Sequence, residues 1–418
     1  MRHPPIICKI CLVLCAVVLM LGMTADVFAT AISGQMSVWS YVRDDSVDHA
    51  IIAPSLTLNA YQLGNRNLTF QTTLRGFTDI RNGESNEEQM RIQRAVLIYA
   101  PSASKWQVRL GQQWINEGVG YGNVAGLWAQ VKPCPKGAFT AYVGSRIANT
   151  MYFDSEDGEN EDEGIAAGLH FQRRFGKHKF GLSYTYLTKD GDVLFSGAGI
   201  EASSKLFKNF SARGRLDMNL EQSSMETAQV LGMWTPLTSL LLTGEVRSQT
   251  PRIFEDSYFV RFLENASTNF ARGSVRWNFY DEFYARYTGH VVIGEDYNPW
   301  KIRAGLGCEN LEVGYTHWLS VAEGDWDGFY GMATGDIEVN GHDYGDIFAG
   351  FDFAKGSNSD YRDNTESQSA YYGIRITKLR AFDFSARMEH IKSWTESNDW
   401  RGLFGITWRF STLAGGVR

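Results

Sequence analysis

From residue 31 to residue 410 the chain alternates. Ile32, Gly34, Met36, Val38 and Val42 share one parity, and Ser33, Gln35, Ser37, Tyr41 and Arg43 share the other. The pattern returns at Leu68, Phe70, Leu74 and Ile80 against Thr69, Gln71, Arg75 and Asp79. It recurs at Phe180, Leu182, Tyr184 and Tyr186 against Gly181, Ser183, Thr185 and Lys189. Further on, Phe210, Ala212, Leu216 and Met218 oppose Ser211, Arg213, Arg215 and Asp217. Phe283, Ala285, Tyr287 and Val291 oppose Tyr284, Arg286, Thr288 and His290. Phe382, Phe384, Ala386 and Met388 oppose Asp383, Ser385, Arg387 and Glu389. Side chains of a strand point alternately to its two faces, so each segment predicts a strand with one apolar and one polar face.

Segment length selects the architecture. A soluble sandwich alternates too, but its strands run to about 5–6 residues. These run to about 10–14, the length that crosses hydrocarbon at a tilt near 45°. The polar parity is also too ionic to be a second core, because arginine recurs on it at Arg75, Arg109, Arg213, Arg215, Arg272, Arg276, Arg286, Arg303, Arg375 and Arg387. An outward face in lipid and an inward face in water explain both parities. Closing the sheet removes the edge that lipid cannot satisfy. The expectation is an all-β transmembrane antiparallel barrel over residues 30–410, with those ten arginines lining the pore.

Connections alternate between short and long, as in outer-membrane barrels. Short links are predicted around Gly64, Pro101, Pro133, Gly176, Pro236 and Leu379. Long polar links are predicted at residues 82–89, 149–164, 249–268, 321–344 and 355–369. Honouring that rhythm gives about 22 strands, in a range of 18–22. The faintest are those near residues 193–207 and 329–334. Tyrosines and tryptophans near strand ends fit interfacial girdles: Trp39, Tyr41, Tyr61, Tyr99, Trp106, Trp114, Tyr186, Trp277, Trp300, Trp318, Trp394 and Trp408.

Residues 1–29 read as a secretory signal. Arg2 and Lys9 precede an apolar core from Ile10 to Gly22, and Val27-Phe28-Ala29 offers a cleavage site after Ala29. The first strand then starts almost at that site, leaving no room for an N-terminal plug domain. Cleavage leaves Cys134 and Cys308, which either pair or stay as separate thiols. The whole chain has 40 Lys+Arg and 47 Asp+Glu, a charge of −7, which argues against nucleic-acid binding. Aromatics at 13% exclude a disordered chain.

Catalytic and cofactor motifs are missing: no HExxH, P-loop, GxSxG, dinucleotide fingerprint or CxxCH. No enzyme, metal or cofactor is expected. Glu389-His390 and His317 are histidine positions without a nucleophile signature. The acidic run from Asp154 to Glu163 lacks the spacing of an EF-hand and reads as a solvated outer loop. Gly120-Tyr121-Gly122 reads as flexible backbone.

Two short stretches carry resemblances. Phe404, Ile406, Trp408 and Phe410 resemble the terminal signal read by the outer-membrane insertion machinery, followed here by a tail, residues 411–418. Val108-Arg109-Leu110-Gly111-Gln112-Gln113-Trp114, followed by Glu117-Gly118-Val119-Gly120-Tyr121-Gly122, is loosely similar to the alginate-export branch of porin-like barrels. Gln112 stands where that branch has arginine. This resemblance implies a channel in the bacterial outer membrane, touching lipid and lipopolysaccharide.

Two functions follow as expectations. One is passive passage of small hydrophilic solutes, with a mild anion preference if acids gather in loops while cations line the bore. The other, prompted by the wide bore of 22 strands, is the sheath of a porin–cytochrome conduit holding a separate multihaem cytochrome. An energy-coupled receptor would need the missing plug. Intact mass of protein recovered from outer membranes should match a chain starting at Thr30; a start upstream of it would contradict the cleavage reading.

Overall fold

The computed structural model describes residues 31–44, 49–80, 89–101, 104–147, 164–189, 191–250, 267–294, 298–319, 324–358, 362–379, 381–392 and 399–412. The signal segment, the acidic run, Trp394 and residues 413–418 lie outside them. Twenty-two strands follow in order: β1 (Ala31–Asp44), β2 (His49–Tyr61), β3 (Leu68–Asp79), β4 (Gln89–Tyr99), β5 (Trp106–Glu117), β6 (Gly120–Cys134), β7 (Gly137–Ile147), β8 (Ile165–Phe175), β9 (His178–Lys189), β10 (Asp192–Phe207) and β11 (Phe210–Asn219). The second half holds β12 (Ser224–Leu237), β13 (Leu240–Gln249), β14 (Thr268–Asn278), β15 (Tyr284–Ile293), β16 (Trp300–Gly307), β17 (Leu311–Leu319), β18 (Trp326–Val339), β19 (His342–Asn358), β20 (Arg362–Leu379), β21 (Phe382–Lys392) and β22 (Asp399–Ser411).

Every strand pairs antiparallel with its sequence neighbours, and β22 pairs with β1 from Ser33 opposite Ser411 to Asp44 opposite Trp400. The sheet is therefore a closed 22-stranded barrel, and the described residues form no plug. Among the described residues there is no helix and no strand outside the wall. If circular, 22 strands would make a wall about 40–45 Å across at the backbone.

Register decides the faces. Following opposite residues from strand to strand carries the apolar parity of β1 round the ring and back through Phe404, Ile406 and Trp408. Large exposed apolar side chains populate that outer face, among them Leu110, Leu127, Val143, Leu169, Val230, Val246, Leu306 and Ile347. A chain that shows this much apolar surface is built for hydrocarbon, not water.

The two faintest strands both exist, as β10 and β18. Two predicted loops do not. Residues 321–344 contain β18 and the tight turn at 340–341, where Asn340 and Gly341 both have positive φ. Residues 355–369 mostly extend the hairpin of β19 and β20. Polar composition alone therefore does not mark a loop here, because these strands run on beyond the apolar belt. Four girdle candidates also turn inward. Trp39 packs on Gly405, Tyr41 lies opposite Leu403, Tyr61 opposite Thr69, and Trp318 beneath Lys301. Tyr99, Trp106, Trp277, Trp300 and Trp408 keep to the outer parity.

Cys134 and Cys308 are both free thiols, placed at the ends of β6 and β16 on opposite stretches of the ring. Nine strands of wall, β7–β15, lie between them by the shorter way round.

The faces can be tested side by side at the middle of β12. Val230→Arg on the outer face should destabilise the membrane-folded barrel by about 2–4 kcal/mol, the cost of arginine near the bilayer midplane. Its neighbour Gln229→Arg, pointing inward, should cost under about 1 kcal/mol. Urea titration of the folded-to-unfolded band shift reads both.

Candidate functional site

All ten arginines singled out in the sequence sit on the inner parity of the wall. Further cations share it: Arg43, Arg91, Arg94, Arg247, Lys301, Arg401 and Arg409. Arg91 and Arg94 do not fit one strict period of two, because they stand three positions apart. Gln93 is an extra residue bulged out of β4 against the Thr73–Leu74 step of β3, which lets both arginines point inward. Arg401 and Arg409 lay on a readable polar parity in the last strand.

The inner face is not cationic throughout. Carboxylates also point inward, among them Asp217, Asp383 and Glu389, which the polar parity already held, and Glu201, Glu245, Glu312 and Asp399. They sort the cations into two populations. On β9–β11, Glu201 meets Lys179 at 3.3 Å and Arg213 at 3.8 Å, and Asp217 meets Arg215 at 2.7 Å. On β21, β22 and β1, Arg387 pairs with Glu389 at 3.4 Å, Arg409 pairs with Asp383, and the fully buried Asp399 bridges Arg43 and Arg401. These charges largely cancel.

On β13–β16 they do not. Arg247, Arg272, Arg276, Arg286, Lys301 and Arg303 form no ion pair with a described residue. Of the inward carboxylates nearby, Asp352 of β19, opposite Tyr330, acts on Lys301 through space but forms no ion pair with a described residue, and Glu245 and Glu312 are engaged elsewhere. Gln229 Nε2 donates to Glu245 at 2.6 Å. The hydroxyls of Tyr284 and Tyr330 donate to Glu312 at 2.6 and 2.8 Å. Glu312 is 3% exposed, so it anchors rings more than it faces solvent.

Those rings carry the cations. The Arg303 guanidinium lies 3.4 Å over Tyr330, Arg276 4.1 Å over Tyr284, and the Lys301 ammonium 4.2 Å over Trp318. Stacking leaves the edge N–H groups of each guanidinium free to bind a carboxylate or phosphate in the plane. Register places Arg272 opposite His290, His290 opposite Lys301, and Arg276 opposite Arg286. Such neighbours are about 5 Å apart across strands and about 7 Å apart along them. Both are below the ~10 Å Debye length at 0.1 M salt, so their potentials add.

The histidine positions form no catalytic group. Glu389 points inward to Arg387 and Ser369, while His390 points outward and stacks on Trp400 with centroids 4.5 Å apart. His317 lies on the outer parity, where its Nδ1 is 2.7 Å from Asp327, which also accepts from Tyr315. No His/Cys/Asp/Glu cluster that could hold a metal occurs among the described residues.

No protein-family profile matches the chain, and no curated protein is similar to it in sequence. Solved barrels are similar in fold. The translocation pore of the P pilus usher PapC matches with a TM-score of 0.51 at 10% identity, over 91% of this chain and 99% of that one. OccD3 (OpdP) of Pseudomonas aeruginosa gives 0.43 at 10% identity, over 92% and 93%. OpdK of the same organism, solved with vanillate, gives 0.44 at 8%, over 92% and 100%. These likenesses concern the path of the backbone, that of a bacterial outer-membrane β-barrel.

If Glu312 holds the stacked rings, replacing both partners by Tyr284→Phe and Tyr330→Phe strands a buried carboxylate. Stability should fall by about 1–3 kcal/mol for each donor removed. Adding Glu312→Leu to the double variant should recover part of that loss in the same urea titration.

Proposed function

We propose that the protein is an outer-membrane channel for passive diffusion of small hydrophilic solutes, with a preference for anions. The observation that carries this reading is the unpaired cation patch on β13–β16. Six positive groups share one wall, whereas on β9–β11 and from β21 round to β1 the inner charges largely neutralise one another. Anions entering the lumen supply the missing counter-charge, so their local concentration rises and that of cations falls. The apolar outer face meets lipid, with lipopolysaccharide at the outer rim, and the alternating aromatics of β22 serve as the insertion signal.

The sheath reading started from the width of a 22-stranded bore. That width is reduced from within. The β5–β6 turn folds onto the inner face of β9–β11, and an apolar cluster of Ile115, Val119, Val124, Trp128, Tyr142, Leu187 and Phe195 fills the space beneath it. This infolding favours an unaided channel over a barrel that needs a multihaem cytochrome to fill it.

In planar bilayers under a KCl gradient, the reversal potential should show chloride passing more readily than potassium. Neutralising two unstacked members, Arg272→Gln with Arg286→Gln, should lower the chloride-to-potassium permeability ratio roughly two- to five-fold. The paired control Asp383→Asn with Arg409→Gln should leave it within about a quarter of the original. Cation selectivity in the unaltered protein, or absence of conductance, would overturn the proposal, and haem in natively purified barrel would restore the sheath.

A further inference from the structure

One seam of the wall is unlike the others. The β4–β5 ladder runs only from Tyr99 opposite Val108 to Ala95 opposite Gln112. Beyond that row both strands continue. β4 goes on to Gln89, still paired to β3, and β5 goes on to Glu117, still paired to β6. Six residues of β4 and five of β5 thus face a gap. The seam of the chain ends, β1 with β22, has no such gap.

Local causes are visible. Gly111 takes φ +124°, a conformation for glycine, and a Cβ there would run into the Ala95 carbonyl oxygen. This turns β5 away from β4. Its tip is then held against the inner wall four to six strands further round the ring. Val119 N donates to Ser183 Oγ at 2.9 Å, and Arg215 Nη2 donates to the Gly118 carbonyl at 2.9 Å. The β5–β6 hairpin therefore curls over the inner wall of β7–β11, and its hydrogen-bonding edge leaves β4.

Depth gives the gap its meaning. Gln112 lies six residues above the outward Trp106 at the short-turn end. That is about 20 Å along the strand and roughly 14 Å of height at a 45° tilt, against an apolar band of about 25 Å. The gap thus opens inside the upper half of the band. Irregular backbone at membrane depth is tolerated where it lines a wet cavity, because a bare edge in hydrocarbon costs several kcal/mol per group. One exposed carbonyl is met from across the gap: Gln112 Nε2 donates to the Ile92 oxygen at 2.6 Å.

The border is amphipathic. On the outer side stand the exposed Met90 and Ile92 of β4, facing Trp114 and Tyr121, whose rings meet edge to face at 4.8 Å. On the inner side stand Arg94 and Arg109, each with a buried Nε that has no partner, and Arg109 lies 3.9 Å over Trp128. On the same inner parity Gln113, four residues beyond Arg109, is 2% exposed, and neither its amide nitrogen nor its oxygen has a partner. A buried primary amide and two unpartnered guanidinium nitrogens call for a polar ligand group, and the rim calls for an apolar body.

We infer that the β4–β5 gap is a lateral portal through which amphipathic organic anions, an aromatic or aliphatic body bearing one acid group, pass between the lumen and the outer leaflet. The acid group docks on Arg94, Arg109 and Gln113 while the body leaves past Ile92 and Trp114. This extends the channel reading by a second exit and a second solute class, but its evidence is separate from the β13–β16 patch.

The test blocks the gap and leaves the axial path open. Ile92→Cys is made in a Cys134→Ser, Cys308→Ser background and modified with a bulky maleimide; Met90→Cys is the second position, and Val246→Cys, on the outer face of β13, is the control. Proteoliposomes are loaded with anilinonaphthalene sulfonate, whose fluorescence rises as it reaches the inner leaflet, and chloride conductance is measured in parallel. Modification at 92 or 90 should slow protein-dependent loading at least five-fold, modification at 246 should not, and chloride conductance should stay within two-fold throughout. Unchanged loading after modification at both 92 and 90, with chloride still conducted, would overturn the portal and leave the channel standing. Label-sensitive loading without chloride conductance would keep the portal and remove the channel.

Discussion

In hydrocarbon a peptide N–H or C=O has no solvent to fall back on, and leaving one bare costs several kcal/mol. That constraint governs this molecule. A sheet long enough to cross must close, and here it closes through β1 and β22 over the full length of the shared ladder. Once closed, the two faces of every strand have different solvents. Alternation along 22 strands is the chain's response to that difference, and it explains why so many of its large apolar side chains are exposed.

Closure sets the problem of charge on the inside. An inward arginine needs water or a partner, and the wall supplies both in different sectors. From β21 round to β1 the partners are carboxylates, down to an Asp399 with no exposure at all. On β13–β16 the partners are aromatic faces, which hold a guanidinium without neutralising it. Removing a counter-charge but keeping the support leaves a field in the lumen, so the charge a solute would meet depends on the pairing of the cations as much as on their number.

The same constraint makes the β5–β6 hairpin informative. A turn that folds across the inner face must give up its ladder with one neighbour. In this barrel it gives up β4, and part of the backbone edge so exposed is covered by the side chain of Gln112. The infolding thus narrows the bore and opens its side by a single movement of backbone, pivoting at Gly111.

Strand existence, length and face were legible in the sequence, because the period of two is a property of each strand alone: Arg286 between Ala285 and Tyr287 faces water whatever its neighbours are. Even the faint strands β10 and β18 kept that period. Pairing, curling and closure were not legible. Whether Arg303 meets a carboxylate or a tyrosine depends on the strands beside it, and Trp318 or Trp39 points inward only because register places it there. The β4–β5 gap is further still from the sequence, since a ladder is a relation between two strands and its interruption leaves no mark on the alternation of either. Local periodicity determined the wall; the tertiary structure alone decided which charges cancel and where the wall parts, because both are set by distances across strands that no single segment encodes.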